Sequence, residues 1–262
     1  MADTEAIITL EIDMFRKFLG KNKAQTGDIH AKKAMDALDQ KDYHLAVKEL
    51  TQAVKNGVAS YDLAELHTIL GRAYKNLAQY EKAIAAHQEA LKIDPNCYRA
   101  WNNLGIVYFS LNQYEEAEEC HQKALAIEPK YAFAIASLGA LYIHRNQPQK
   151  AIDLSEKAIL LIPGMGTAHS NLALAYAMVG RFAEAEKSLK QAILLGYTNW
   201  RTIQNRINNL KDMGGKNTVQ AEWLPASCPI CGAPISASTV IWTSDNTADC
   251  SYCRTNIKRE PG

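Results

Sequence analysis

Trp101-Asn102-Asn103-Leu104-Gly105-Ile106-Val107-Tyr108 is the stretch from which the rest of the chain can be read. It has the form W-x2-L-G-x2-Y, and Tyr114, Ala117, Ala124 and Pro129 follow at the offsets of a helix–turn–helix unit of 34 residues. Trp101, Leu104 and Tyr108 stand at i, i+3 and i+7, which is one face of a helix. Gly105 and Ala117 are small where two antiparallel helices are expected to cross, since a larger side chain would push the pair apart. Pro129 has no amide hydrogen, so it closes the second helix and starts the turn to the next unit. His121 stands where such a pattern usually carries Phe.

The same spacing recurs on both sides. Upstream it falls on His67, Leu70, Gly71, Tyr74, Tyr80, Ala83, Ala90 and Pro95. Downstream it falls on Ile135, Leu138, Gly139, Tyr142, Pro148, Ala151, Ala158 and Pro163. It then falls on His169, Leu172, Ala173, Tyr176, Phe182, Ala185 and Ala192, with Tyr197 in the proline position. These segments resemble tetratricopeptide repeats. The resemblance implies an all-α fold, a right-handed α-solenoid of helix hairpins whose first helices line a concave face.

The regular units are 64–97, 98–131, 132–165 and 166–199. A weaker fifth occupies 27–60, where Tyr43, Ala46 and Ala53 keep the positions of a second helix and Lys33-Ala34 replaces Leu-Gly. Terminal repeats commonly depart from consensus because one face has no neighbour. Tyr61 to Leu63 is a three-residue insertion. Residues 200–213 place Ile203, Ile207 and Leu210 on one side, as expected of a single helix covering the last repeat. Gly214-Gly215 is expected to stop it, and 214–227 reads as a linker from which Trp223 and Leu224 could dock on a neighbouring surface. Before the repeats, residues 1–26 are expected to hold an N-terminal helix over 4–20, with Ile8, Ile12, Phe15 and Leu19 on one side. This helix either folds back as a cap or docks a partner. Lys21 to Gly27 reads as a polar link.

The tail changes character. Cys228-Pro229-Ile230-Cys231 and Cys250-Ser251-Tyr252-Cys253 form C-x2-C-x18-C-x2-C, a spacing suited to one tetrahedral zinc held by four thiolates. Between the pairs, Ser238 to Thr243 is rich in β-branched residues and reads as a strand. Residues 228–262 resemble a zinc ribbon. So short a segment buries little core, and a bound ion of about 10–16 kcal/mol would supply what folding needs. Iron in a rubredoxin-like site and a redox role are the competing readings. With four protein thiolates no position remains for a catalytic water, so the zinc is read as structural.

A net charge of +1 over 262 residues argues against a strong general affinity for nucleic acid or anionic lipid. No apolar run approaches the length of a transmembrane helix. The N-terminal sequence lacks the layout of a secretory signal. Cysteines spaced for metal rather than disulfides point to a reducing, cytoplasmic location.

No nucleophile motif, phosphate loop or H-E-x-x-H is found, so the chain is read as non-enzymatic. His67 and His169 take the Trp101 position, and His87 and His121 the Phe position; all four are expected to pack. Cys97 and Cys120 are isolated thiols, expected to behave as small apolar groups.

What remains for function is the concave face. Its candidate lining is Arg72 and Asn76; then Arg99, Asn102, Asn103 and Phe109; then Phe133 and His144; then Asn171 and Met178. One end is basic and amide-bearing, the other apolar. Asparagine amides can donate to and accept from an extended backbone, and Arg72 and Arg99 can hold a carboxylate. Against the chaperone-binding subtype of the family, Thr68, Arg72, Asn103, Phe133 and Ser137 match only at Asn103. Against the asparagine-ladder subtype, Ile69, Asn103, Ser137 and Asn171 match at two of four. The expected role is an adaptor that holds a peptide or helix of another protein, with the ribbon as a second contact surface. The alternative is a nucleic-acid-associated factor using the ribbon. It is less favoured because Lys216, Arg254, Lys258 and Arg259 are offset by Glu222, Asp245, Asp249 and Glu260. No small-molecule substrate is expected.

Overall fold

The structure, a computed structural model, describes the backbone of residues 2–221, 228, 230, 240–244, 247–250 and 256–258, and the side-chain surroundings of 20–212, 228 and 230. Its helices are α1 (Ala2–Asp39), α2 (Tyr43–Asn56), α3 (Leu63–Asn76), α4 (Tyr80–Ile93), α5 (Tyr98–Ser110), α6 (Tyr114–Ile127), α7 (Ala132–His144), α8 (Pro148–Leu161), α9 (Gly166–Met178), α10 (Phe182–Leu194) and α11 (Trp200–Ala221). This is an array of helix hairpins at the spacing read from the sequence.

One backbone feature recurs in every hairpin. Lys41, Ala78, Asn112, Asn146 and Gly180 all have positive φ, between 53° and 78°. They are one position repeated, in the turn between first and second helix, and they include the irregular unit at 27–60. The turn therefore depends on a left-handed residue, and only one of the five is glycine.

The chain divides into two compact units, Met1–Leu141 and Tyr142–Gly262. In the first, α1 pairs with α2, α3 with α4, and α5 with α6, and successive pairs stack. A core of Ala31, Ala34, Leu50, Ala53, Leu66, Leu70, Ala73 and Ala86 joins the first two pairs. Small residues allow the close approach: at Gly27 an added Cβ would sit 1.7 Å from the carbonyl oxygen of Gly57. Asp28 secures the next turn by accepting from the Ala59 and Ser60 amides and the Ser60 hydroxyl. Asp42 and Asp62 cap α2 and α3 by accepting from the Leu45 and Ala64 amides.

In the second unit, α9 packs on α8 and α10, and α11 on α9 and α10. Their core joins Ile152, Leu172, Leu174, Tyr176, Leu189 and Ile207, with Trp200, Ile203 and Leu210 against it. The three positions expected to cover the last repeat do so. The tail holds a three-stranded antiparallel sheet of β1 (Val240–Ser244), β2 (Thr247–Cys250) and β3 (Asn256–Lys258), in that order. The strand expected at 238–243 is β1, which sets Val240 opposite Cys250.

Two expected boundaries are corrected. The polar link at Lys21 to Gly27 is helical: α1 runs unbroken from Ala2 to Asp39, which leaves no turn on which residues 4–20 could fold back. The polar composition of this stretch is compatible with helix, because Lys, Ala and Gln are good helix formers and no proline intervenes. Likewise Gly214-Gly215 does not end α11, which continues to Ala221. Two glycines cost a helix about 1 kcal/mol each, which weakens it without stopping it. The remainder of the expected linker, with Trp223 and Leu224, lies outside the described residues.

Candidate partner-binding face

The repeat positions that carry the motif build the walls before they build any site. At Gly105 an added Cβ would lie 2.7 Å from the His121 ring, and at Gly71 one would lie 2.5 Å from the His87 ring. The motif glycine is thus small to admit the ring of the second helix, rather than to face Ala117. Trp101 Nε1–H donates to the Pro95 carbonyl at 3.0 Å, and His169 Nε2 pairs with the Pro163 carbonyl at 3.1 Å. The side chain that opens each of these repeats is tied to the proline that closed the one before. His67, whose corresponding neighbour is Tyr61 in the insertion, has its Nδ1 buried without a partner. Cys120 is buried, and burial pushes its thiol up to about 11, as befits a small apolar group.

In the first unit, the inner positions of α3 and α5 divide into those that pack and those that face out. Asn102 is corrected from lining to core: it is 2 % exposed, and its side-chain oxygen accepts from His121 Nδ1 at 3.0 Å. Thr68, one repeat earlier, is equally buried and donates to the Ala64 carbonyl. Phe109 is half-buried, its ring 5.7 Å from that of Tyr114 at the start of the second helix. Asn103 is half-buried.

Arg72, Asn76, Arg99 and Phe133 are exposed. Arg99 pairs with Glu65 at 3.4 Å and lies over the Tyr98 ring. Tyr98 meets Tyr131 edge-on at 4.8 Å, and Phe133, 52 % exposed, continues the row at 5.6 Å from Tyr131. Tyr131 is pushed up by burial, while the Arg99 and Arg72 charges pull the other way. The Arg72 charge therefore reaches Tyr131. Lys75 is lowered by burial and then by Arg72. Arg72 and Lys75 thus form a cationic pair on one helix, and neither has an ion-pair partner among the described residues. Lys75 stands at one of the inner-face positions that the repeat spacing marks, one turn after Arg72.

In the second unit the inner face is occupied by the chain itself. Leu174 is 2 % exposed, Ile143 is 4 % exposed, and Met178 packs against the core that α11 completes. A next-repeat first helix would lie mainly on the preceding second helix, as α5 lies more on α4 than on α3; α11 instead lies more on α9 than on α10. Met178 is half-buried against that core, and Asn171 is half-buried. His144 keeps an exposed position, its pKa lowered by partial desolvation and by the Arg206 charge on α11.

Of the tail cysteines, Cys228 is buried and Cys250 ends β2. Cys231 and Cys253 lie outside the described residues. Among the described residues, no helix is long and apolar enough to cross a membrane.

Comparison with known proteins agrees with this geometry. The tetratricopeptide repeat profiles match residues 71–112, 98–131 and 167–195. The chain carries tetratricopeptide repeats. A curated relative, the tetratricopeptide repeat domain-containing protein PYG7, chloroplastic, of Arabidopsis thaliana, is 31% identical over 106 residues. That match takes in 38% of this chain and only 35% of the relative. Among solved structures, a thermophilic TPR protein of Thermus thermophilus superposes with a TM-score of 0.57 at 19% identity, over 73% of this chain and 98% of its own. A tetratricopeptide repeat protein of Parabacteroides merdae gives 0.56 at 22%, over 74% and 76%. MamA gives 0.50 at 25%, over 68% and 95%.

Proposed function

We propose that the chain is a non-enzymatic adaptor, and that the inner face of its first unit binds an extended segment of another protein. The observation that carries this reading is the Arg72–Lys75 pair, with the Arg72 charge acting on Tyr131 in the row Tyr98, Tyr131, Phe133. Two neighbouring cations with no ion-pair partner among the described residues, one partly desolvated, favour an anion. The exposed Phe133, at the end of the row, favours an apolar or aromatic side chain on the same ligand. The ligand is thus a segment with a carboxylate one or two residues from a large apolar side chain. The exposed amide of Asn76 and the half-buried one of Asn103 are placed to meet its backbone. Helix-hairpin arrays offer such inner surfaces to other chains.

The reading extends to the tail. Four thiols at C-x2-C-x18-C-x2-C match the donor set of one structural zinc, held by Cys228, Cys231, Cys250 and Cys253. The burial of Cys228 and the place of Cys250 at the end of a strand in an antiparallel sheet are compatible with that site. The ribbon would then be a second contact surface.

Panning the full chain against a library of extended peptides tests the proposal. Enriched sequences are expected to pair an acid with an aromatic or large aliphatic residue. Arg72→Ala with Lys75→Ala is expected to weaken them ~100-fold, since two charge-assisted contacts go. Undiminished binding in that double variant would sink the reading.

A further inference from the structure

The near-neutral net charge hides an uneven distribution. From Lys157 to Lys211 the chain carries seven lysines and arginines against two glutamates, Glu184 and Glu186. Both glutamates are engaged, with Arg181 and Lys211 respectively. Lys157 and Lys190 enter no ion pair among the described residues.

The same stretch exposes large aliphatic side chains. Leu160 is 82 % exposed and Leu194 72 %, with Ile162 and Ile193 near 40 %. Leu160 and Leu194 occupy one repeat position, the last turn of the second helix, in α8 and α10. Earlier repeats have Lys55, Lys92 and Ala126 there, so the hairpin itself does not require leucine. Each leucine has a lysine one turn before it on its own face: Lys157 at i−3 and Lys190 at i−4. The two helix ends share an edge of the second unit. The loop after α8 reaches the loop after α10 at Gly166, where an added Cβ would lie 3.4 to 3.6 Å from Tyr197, Ala192 and Leu195. Arg201, exposed at the start of α11, adds a further cation to this edge.

We propose that this edge docks on an anionic lipid bilayer. Protruding leucines flanked by lysines suit a headgroup layer: the apolar tips enter the acyl boundary while the lysine stems lie along them and hold the ammonium groups among phosphates. A bilayer adapts to protruding side chains, whereas a protein partner would have to offer a matching recess to each. Lysines near an anionic surface add attraction that salt screens. The edge belongs to the second unit, and the proposed peptide-binding residues belong to the first.

Cosedimentation of the full chain with phosphatidylcholine vesicles, with and without phosphatidylglycerol, tests this. Binding is expected only with phosphatidylglycerol, and is expected to fall as salt rises. Leu160→Ser with Leu194→Ser is expected to cut the bound fraction roughly tenfold, and Lys157→Glu with Lys190→Glu to abolish it. All four positions are exposed, so unchanged circular dichroism is the expected control. Three results would overturn the proposal: no binding to anionic vesicles at low salt; binding that both variants leave intact; or self-association, without vesicle binding, that the leucine variant removes. The last would make the edge an interface between copies of the chain.

Discussion

His87 and His121 hold the same repeat position, and their different partners give them different consequences. Both are buried, and burial holds both near a pKa of about 4, with Arg72 and Lys75 adding to the effect at His87. The folded pKa lies below the ordinary 6.5, so the unfolded chain binds protons first as pH falls. The stability each contributes is complete above about 6.5 and is lost progressively as pH drops toward 4, on the order of 3 kcal/mol per histidine. His121 donates to Asn102, but neither ring nitrogen of His87 has a partner. His87→Phe, the residue such repeats usually carry, is therefore expected to raise stability and flatten its pH dependence, read by urea unfolding between pH 7 and pH 5. An unchanged slope would show that His87 does not titrate between the two states. His121→Phe is expected to destabilise instead, because it strands the buried Asn102 amide.

At the scale of the element, periodicity placed each hairpin helix closely, because a buried stripe recurring every three or four residues has no other regular solution. The flanking helices were misjudged. Residues 21–27 and 214–215 carry no apolar stripe and were read as loops, yet helix continues through both. Absence of a stripe does not make a segment non-helical, and it does not exclude packing either, since Gly27 is buried against Gly57. The direction of packing was also hidden: Ile203, Ile207 and Leu210 show that α11 has a core face, but not that this face lies mainly on α9. Ile207 is wholly buried there. Ile207→Ala is expected to cost about 2–4 kcal/mol and to speed hydrogen exchange in α9 and α11 first. A change under about 0.5 kcal/mol, the range of surface substitutions, would place α11 elsewhere.

For the molecule as a whole, cysteine spacing carries more information than composition. The full chain is expected to hold about one zinc per molecule, measured by elemental analysis, and Cys253→Ser to reduce it. Chelation is expected to leave the far-ultraviolet helical signal intact, since every described helix precedes Cys228. Full metal content in Cys253→Ser would exclude the four-thiolate assignment. Composition misleads in a definite way: a net charge near zero averages a basic second unit with the rest, and forces act locally within a screening length of about 10 Å.

The repeats, their boundaries and the packing histidines are properties of the sequence alone, since identical spacing imposes identical contacts between neighbouring hairpins. Which inner-face residues stay available was settled only in three dimensions. Asn102 and Arg72 both lie on the inner side of a first helix but at different repeat positions: that of Asn102, shared with Thr68, Ala136 and Ser170, is buried in every regular repeat, whereas Arg72 is exposed. Asn102 meets His121 across the hairpin, Met178 lies against the core completed by α11, and Arg72 has no ion-pair partner among the described residues. Those outcomes depend on residues distant in sequence brought together by packing, which local pattern does not encode.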